Sequence, residues 1–208
     1  MNRSTTKALL AAGAVAGPVY IAVGLVEILI RPGFDVTRHE LSLMSLGKLG
    51  WIQIANFLVT GLLVIAGALG MRRVLRPGRG GTWGPWLLAI YGLGLICAGI
   101  FVPDPMNGFP PDAATPSAIS WHAILHFVSG AVGFVGLIAA CFVLARRFAA
   151  RKERGWAAYS LITGVLFLGA FVGIASGSTQ AAIVLAFYAA VLIGWTWISV
   201  IAARLITS

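Results

Sequence analysis

The chain has 208 residues, 59% hydrophobic and 10% charged, with a mean hydropathy of +0.94. Soluble domains carry roughly 25% charged residues, so a soluble enzyme or binding module of this size is excluded. The long apolar runs suit a hydrocarbon core of ~30 Å, which takes about 20 helical residues to cross. The net charge of +9 lies in short segments between apolar runs, where it orients a membrane protein and gives no sign of nucleic-acid binding.

Six apolar segments predict an all-α polytopic fold of six transmembrane helices, one membrane domain over 1–208. The first covers 8–30 and follows a basic start with Arg3 and Lys7. Ala14-Val15-Ala16 would serve as a signal-peptide cleavage site, but the apolar run continues to Ile30. That is too long for a signal core, so retention is expected. The segment 31–50 carries Leu41, Leu43, Met44 and Leu46, the apolar side of a short interfacial helix. Helices are then expected at 51–70 and 85–102. The segment 103–118 holds five of the nine prolines and cannot be helix or central strand; it reads as a stiff cap. Helices follow at 119–145, 156–175 and 180–203, and Gly169, Gly173 and Gly177, at a spacing of four, predict close helix packing. Cys97 and Cys141 fall at different depths, too far apart for the ~5.5 Å Cα separation of a disulfide, and read as buried thiols.

Lys and Arg distribute unevenly. The N-terminus, 71–84, 146–155 and the C-terminus together hold twelve, whereas 31–50 holds three and 103–118 and 176–179 hold none. By the positive-inside rule both termini are cytoplasmic in a multi-pass cell-membrane protein. Twelve Arg against three Lys, with 26 Gly, suits a GC-rich bacterial genome. Trp51-x4-Asn56-Phe57-x2-Thr60-Gly61 also resembles Trp121-x4-His126-Phe127-x-Ser129-Gly130. A parallel repeat of helix pairs 2–3 and 4–5 would account for this likeness, and so would the recurrence of interfacial Trp and small residues in unrelated membrane helices.

In this orientation all three histidines, His39, His122 and His126, lie on the outer side, with five of the six acids: Glu27, Asp35, Glu40, Asp104 and Asp112. His122 and His126 share one face of helix 4, with Ser129, Gly130 and Gly133. Helix 2 carries the stripe Gln53, Asn56 and Thr60, and helix 1 carries Tyr20, Gly24 and Glu27. Lipid offers no partner to such groups, so the stripes should point into the bundle, with helices 2 and 4 as neighbours around a common outer cavity. Glu27 should pair with Arg31, Arg38 or a histidine, and Asp104 between two prolines suits a turn as well as a ligand position. No carboxylate falls near the midplane, so the interior below the outer turns should be dry.

The run Arg38-His39-Glu40-Leu41-Ser42-Leu43-Met44-Ser45-Leu46-Gly47 and the loop Pro103-Asp104-Pro105-Met106-Asn107-Gly108, with a histidine opening the fourth helix, carry a resemblance. Over nearly the whole chain they resemble the bacterial six-helix membrane family called domain of unknown function 998. The resemblance implies six helices and an outward polar cluster, with no established activity. As chemical analogy only, the chain is similar to membrane metal hydrolases of the alkaline ceramidase and adiponectin receptor type. Their three histidines, aspartate and serine near one membrane face would correspond to His39, His122, His126, Asp104 and Ser42 or Ser45 here. Those proteins have seven helices and carry the His-x3-His on the last, which this chain does not.

Three readings follow. In the first, His39, His122 and His126 hold a catalytic zinc with one open position. Asp104, Glu27 or Glu40 then acts as base on bound water, and the substrate is a lipid or lipid-linked molecule at the outer leaflet. In the second, the same residues pack and solvate a shallow cavity in a non-catalytic protein that binds a lipid or small molecule or supports a partner, and the histidines bond across helices. The third is haem held by two histidines; His122 and His126, on one face, cannot both be axial to one haem, which leaves His39, on a loop, with His126.

Overall fold

The structure, a computed structural model, describes residues 3–207. Six helices follow in order: α1 (Arg3–Ile30), α2 (Gly50–Leu75), α3 (Arg79–Ile100), α4 (Trp121–Ala150), α5 (Arg154–Ala175) and α6 (Ala181–Ile206). All six are long and apolar enough to cross a membrane, and a helix satisfies its own backbone polar groups where lipid cannot. The chain is thus an all-α multi-pass membrane protein whose solvent is a bilayer.

The helices run further at the basic end than the apolar segments suggested. The chain leaves helix only at 76–78 in the expected loop 71–84, and only at 151–153 in the expected loop 146–155. Hydropathy falls at the first arginine, but the helix continues because Arg and Lys near a C-terminus suit the helix dipole. Arg72 and Arg73, Arg147, and Arg204 stand in the last turns of α2, α4 and α6. Several also hold neighbours together. Arg147 donates to Leu75 O and to Pro77 O (3.3 Å) at the end of α2. Arg204 pairs with Glu153 and lies over the Trp156 ring.

Each helix packs chiefly on its chain neighbours, and α6 closes against α1. Helices 2 and 4 are therefore not neighbours as expected; α3 stands between them. The close crossings use glycines that no regular spacing marked. A Cβ on Gly13 would meet Gly67 Cα at 2.8 Å, and one on Gly61 would meet Gly92 O at 2.6 Å. A Cβ on Gly94 would meet Gly133 Cα at 2.9 Å. The spaced set behaves differently: Gly169 has nothing within 4 Å, Gly173 meets only Ile183, and Gly177 takes a turn at φ +76°. Spacing alone does not reveal whether a helix face meets protein or lipid. The aligned glycines of the apparent repeat also differ, since Gly61 abuts α3 whereas Gly130 faces open space toward Phe134.

At the other end, the segment between α1 and α2 contains a 3-10 turn, Leu41–Ser45. Its apolar side meets protein: Leu43, Met44 and Ser45 are buried and the turn packs on α2. Arg31 holds it there, donating to Met44 O (2.9 Å) and to Leu46 O. The proline-rich segment covers it, with Phe109 buried against Phe34, His39 and the Arg31 guanidinium.

Candidate functional site

The two segments at this capped end are fastened to each other and to α6. The Asp35 backbone N–H donates to His39 Nδ1 (2.9 Å), which leaves the proton on Nε2. Nε2 therefore donates to Asn107 O (3.0 Å). The Arg38 guanidinium donates to the same carbonyl, and the Asn107 amide donates back to Arg38 O. Tyr188 of α6 donates its hydroxyl to His39 O (2.7 Å). His39, 2% exposed, is thus a clasp with both ring nitrogens engaged.

The histidines of α4 have a second task. The last carbonyls of a helix lack intrahelical donors. His126 Nδ1 lies 3.0 Å from Ala98 O and 2.8 Å from Phe101 O at the end of α3. Both partners are acceptors, so Nδ1 carries the proton and Nε2 keeps its lone pair. His122 Nδ1 likewise approaches Val102 O (3.2 Å) and Ser120 Oγ (3.0 Å). The spacing of four puts the two rings along the path by which α3 ends.

Asp104 fastens the start of α4. Ser120 caps that helix, its Oγ accepting from Ala123 N (3.2 Å). Its backbone N–H and its hydroxyl each donate to the Asp104 carboxylate at 2.7 Å, which holds that carboxyl below its usual range. Glu27 is fully buried and pairs with Arg31 at 3.6 Å. Neither of its oxygens has a hydrogen-bond partner among the described residues.

Between these fastenings a cavity of about 490 Å³ opens inside the bundle, lined by residues of all six helices. Its mouth is formed by Arg38, Glu40, Ser42, Asn107, Ser178 and Thr179. Burial pushes the Glu40 carboxyl above its usual range. Its walls are mainly apolar, with Phe57, Leu95, Phe134, Phe171, Phe187 and Val191. Tyr20, ten residues before the end of α1, lines it at a depth of about 15 Å by helical rise. The cavity thus reaches the middle of a ~30 Å core, a space that the expectation of a dry interior did not foresee, and its walls there are apolar.

Of the residues singled out from the sequence, the cavity gathers Glu40, Ser42 and His126; Glu27, His39, His122 and Asp104 are outside its lining. Among the described residues, no three of His, Cys, Asp and Glu form a group able to hold a metal. His39 has no free lone pair to offer, so at most His122 and His126, which bond carbonyls through Nδ1 and keep Nε2, remain as imidazole ligands. These residues do not fit a three-ligand zinc centre, and the same engagement of His39 removes it as an axial haem ligand. The sequence reading placed Tyr20 on the inward stripe of helix 1 but missed the cavity's Tyr91 and Tyr188. The available signal was a hydroxyl within an apolar run, which usually seeks a partner when buried.

A profile of the family described as "Protein of unknown function (DUF998)" matches residues 14–204. The chain belongs to the DUF998 family. The match spans both the Arg38–Gly47 segment and the Pro103–Gly108 loop, the parts that form the cap over the cavity. No curated protein and no solved structure matches the chain.

Proposed function

We propose that this DUF998 protein is a non-catalytic membrane protein that binds one lipid-like amphiphile, with its tail among the aromatic walls and its polar part under the cap. The observation that carries this reading is the cavity of about 490 Å³, apolar within and polar at its mouth. Ligand sites commonly enclose about 300–1,000 Å³ with a few placed polar groups. The space is large enough for one hydrocarbon chain. His39, His122, Asp104 and Glu27 are accounted for as fastenings of the cap and of helix ends, which leaves Glu40, Ser42 and His126 in the lining, and no hydrolytic step is assigned to them.

Gly130 offers a direct test. It lines the cavity, and a Cβ there meets only Phe134, at 3.9 Å. Gly130→Leu should fill the space while keeping the fold, and weaken binding of a single-chain amphiphile about tenfold or more, a loss of about 1.4 kcal/mol. Native mass spectrometry of the detergent-solubilised protein reads this directly. Unchanged binding by a variant with normal melting would defeat the cavity as the site.

The same proposal places the basic end in the cytoplasm of a bacterial cell and the cap outside, supported by the twelve-to-three division of Lys and Arg. Thr115 and Arg151 are exposed at opposite ends. In a background lacking Cys97 and Cys141, Thr115→Cys should react with an impermeant thiol reagent on intact spheroplasts, and Arg151→Cys should not. The reverse pattern would invert the topology.

A further inference from the structure

We infer that the occupant of the cavity is a single-chain amphiphile with a zwitterionic headgroup, its anionic part at Arg38 and its cationic part at Glu40. This deepens the binding reading above and rests on it. Arg38 and Glu40 both line the mouth, Arg38 exposed and Glu40 partly buried. Among the described residues neither forms an ion pair within 4 Å, although the Arg38 charge also acts on Asp35 on its own segment. Arg38 makes one hydrogen bond from its guanidinium, to Asn107 O at 3.2 Å, and a guanidinium has five N–H donors. It retains donors for a phosphate or carboxylate, which it grips as a charge-assisted pair.

The two opposite charges stand two residues apart in the chain; Arg38 keeps free donors in reach of the mouth, and the partly desolvated Glu40 carboxylate is costly unless paired. They do not meet each other within ion-pair distance, so one ligand carrying both signs answers both. A purely anionic amphiphile would satisfy Arg38 and set its charge against Glu40. A cationic one would do the opposite, and an uncharged alcohol would leave both unpaired. Beneath the mouth, Phe57, Leu95, Phe134 and Phe187 offer nothing to a charge and suit a hydrocarbon tail. A space of about 490 Å³ takes one such tail, and the lysophospholipid class carries one.

The test measures binding by native mass spectrometry in one non-ionic detergent, with lysophosphatidylethanolamine, lysophosphatidate and a long-chain alkylamine of matched length. Free phosphoethanolamine is a fourth arm without a tail. Wild type should bind the zwitterion about tenfold tighter than either singly charged chain, the size of effect given by complementary charges in a partly desolvated site. Glu40→Gln should shift preference toward lysophosphatidate, and Arg38→Gln toward the alkylamine, with melting of both variants checked in parallel. An unchanged ranking across the three proteins, or lysophosphatidate tightest in wild type, would overturn the inference and leave single-chain binding standing. Binding of free phosphoethanolamine as tightly as its lysolipid would overturn the lipid as its source. If no single chain binds wild type, the binding reading itself fails and takes this inference with it.

Discussion

Arg31→Leu is expected to lower stability by about 3–5 kcal/mol, the cost of breaking a buried ion pair from one side. Glu27 is fully buried with no hydrogen bond to either oxygen among the described residues, and its charge is balanced by the Arg31 guanidinium at 3.6 Å. Arg31 is itself only 7% exposed, and it also holds the carbonyls of Met44 and Leu46 and lies over Phe109. Leucine would leave a buried carboxylate and two carbonyls without their partner, and would release the 3-10 turn that supports the cavity mouth. Adding Glu27→Gln to Arg31→Leu should recover part of the loss, at least ~1 kcal/mol, because the uncompensated charge is gone. Thermal or denaturant unfolding in detergent measures both. A cost below ~1 kcal/mol for Arg31→Leu, or no recovery in the double variant, would show that the pair does not hold this end together.

Gly67→Val should cost about 3 kcal/mol, the upper part of the range for overpacking a filled interior. A Cβ on Gly67 would stand 2.6 Å from Gly13 Cα and 3.2 Å from Gly13 N. These are backbone atoms, so no rotamer change relieves the clash and α1 and α2 must separate. Gly169→Val is the matched control on the opposite side of the bundle. With nothing within 4 Å of its Cβ, its unfolding midpoint should stay near that of wild type. Similar losses at both positions would mean that glycine matters here through helix propensity and not through the α1–α2 crossing.

What the sequence determined by itself was set by local composition. Six apolar runs appear as six helices because a hydrocarbon core demands about 20 uninterrupted helical residues, a demand visible in any short window. The proline-rich segment and the Arg38–Gly47 run were legible for the same reason, and they carried the family resemblance that the profile over 14–204 shows. Glu27 finding Arg31 was also within reach, since the two stand four apart on one helix.

Only the tertiary structure decided what the polar groups serve. His39, His122 and His126 looked like one ligand set because residue type and membrane side were all the sequence disclosed. Their partners are the backbone of Asn107, Val102, Ala98 and Phe101, 20 to 68 positions away. Which carbonyl lacks an internal donor depends on where α3 ends and how α4 crosses it. Likewise, Gly13 and Gly67 meet while Gly169 faces open space, although each lies in an apolar helix. Periodicity marks a helix face, but only the packed neighbours determine whether that face meets a helix, a cavity or lipid. The cavity is the strongest case: its lining draws on every helix and on both capping segments, and a void between elements leaves no trace in the pattern of any one of them.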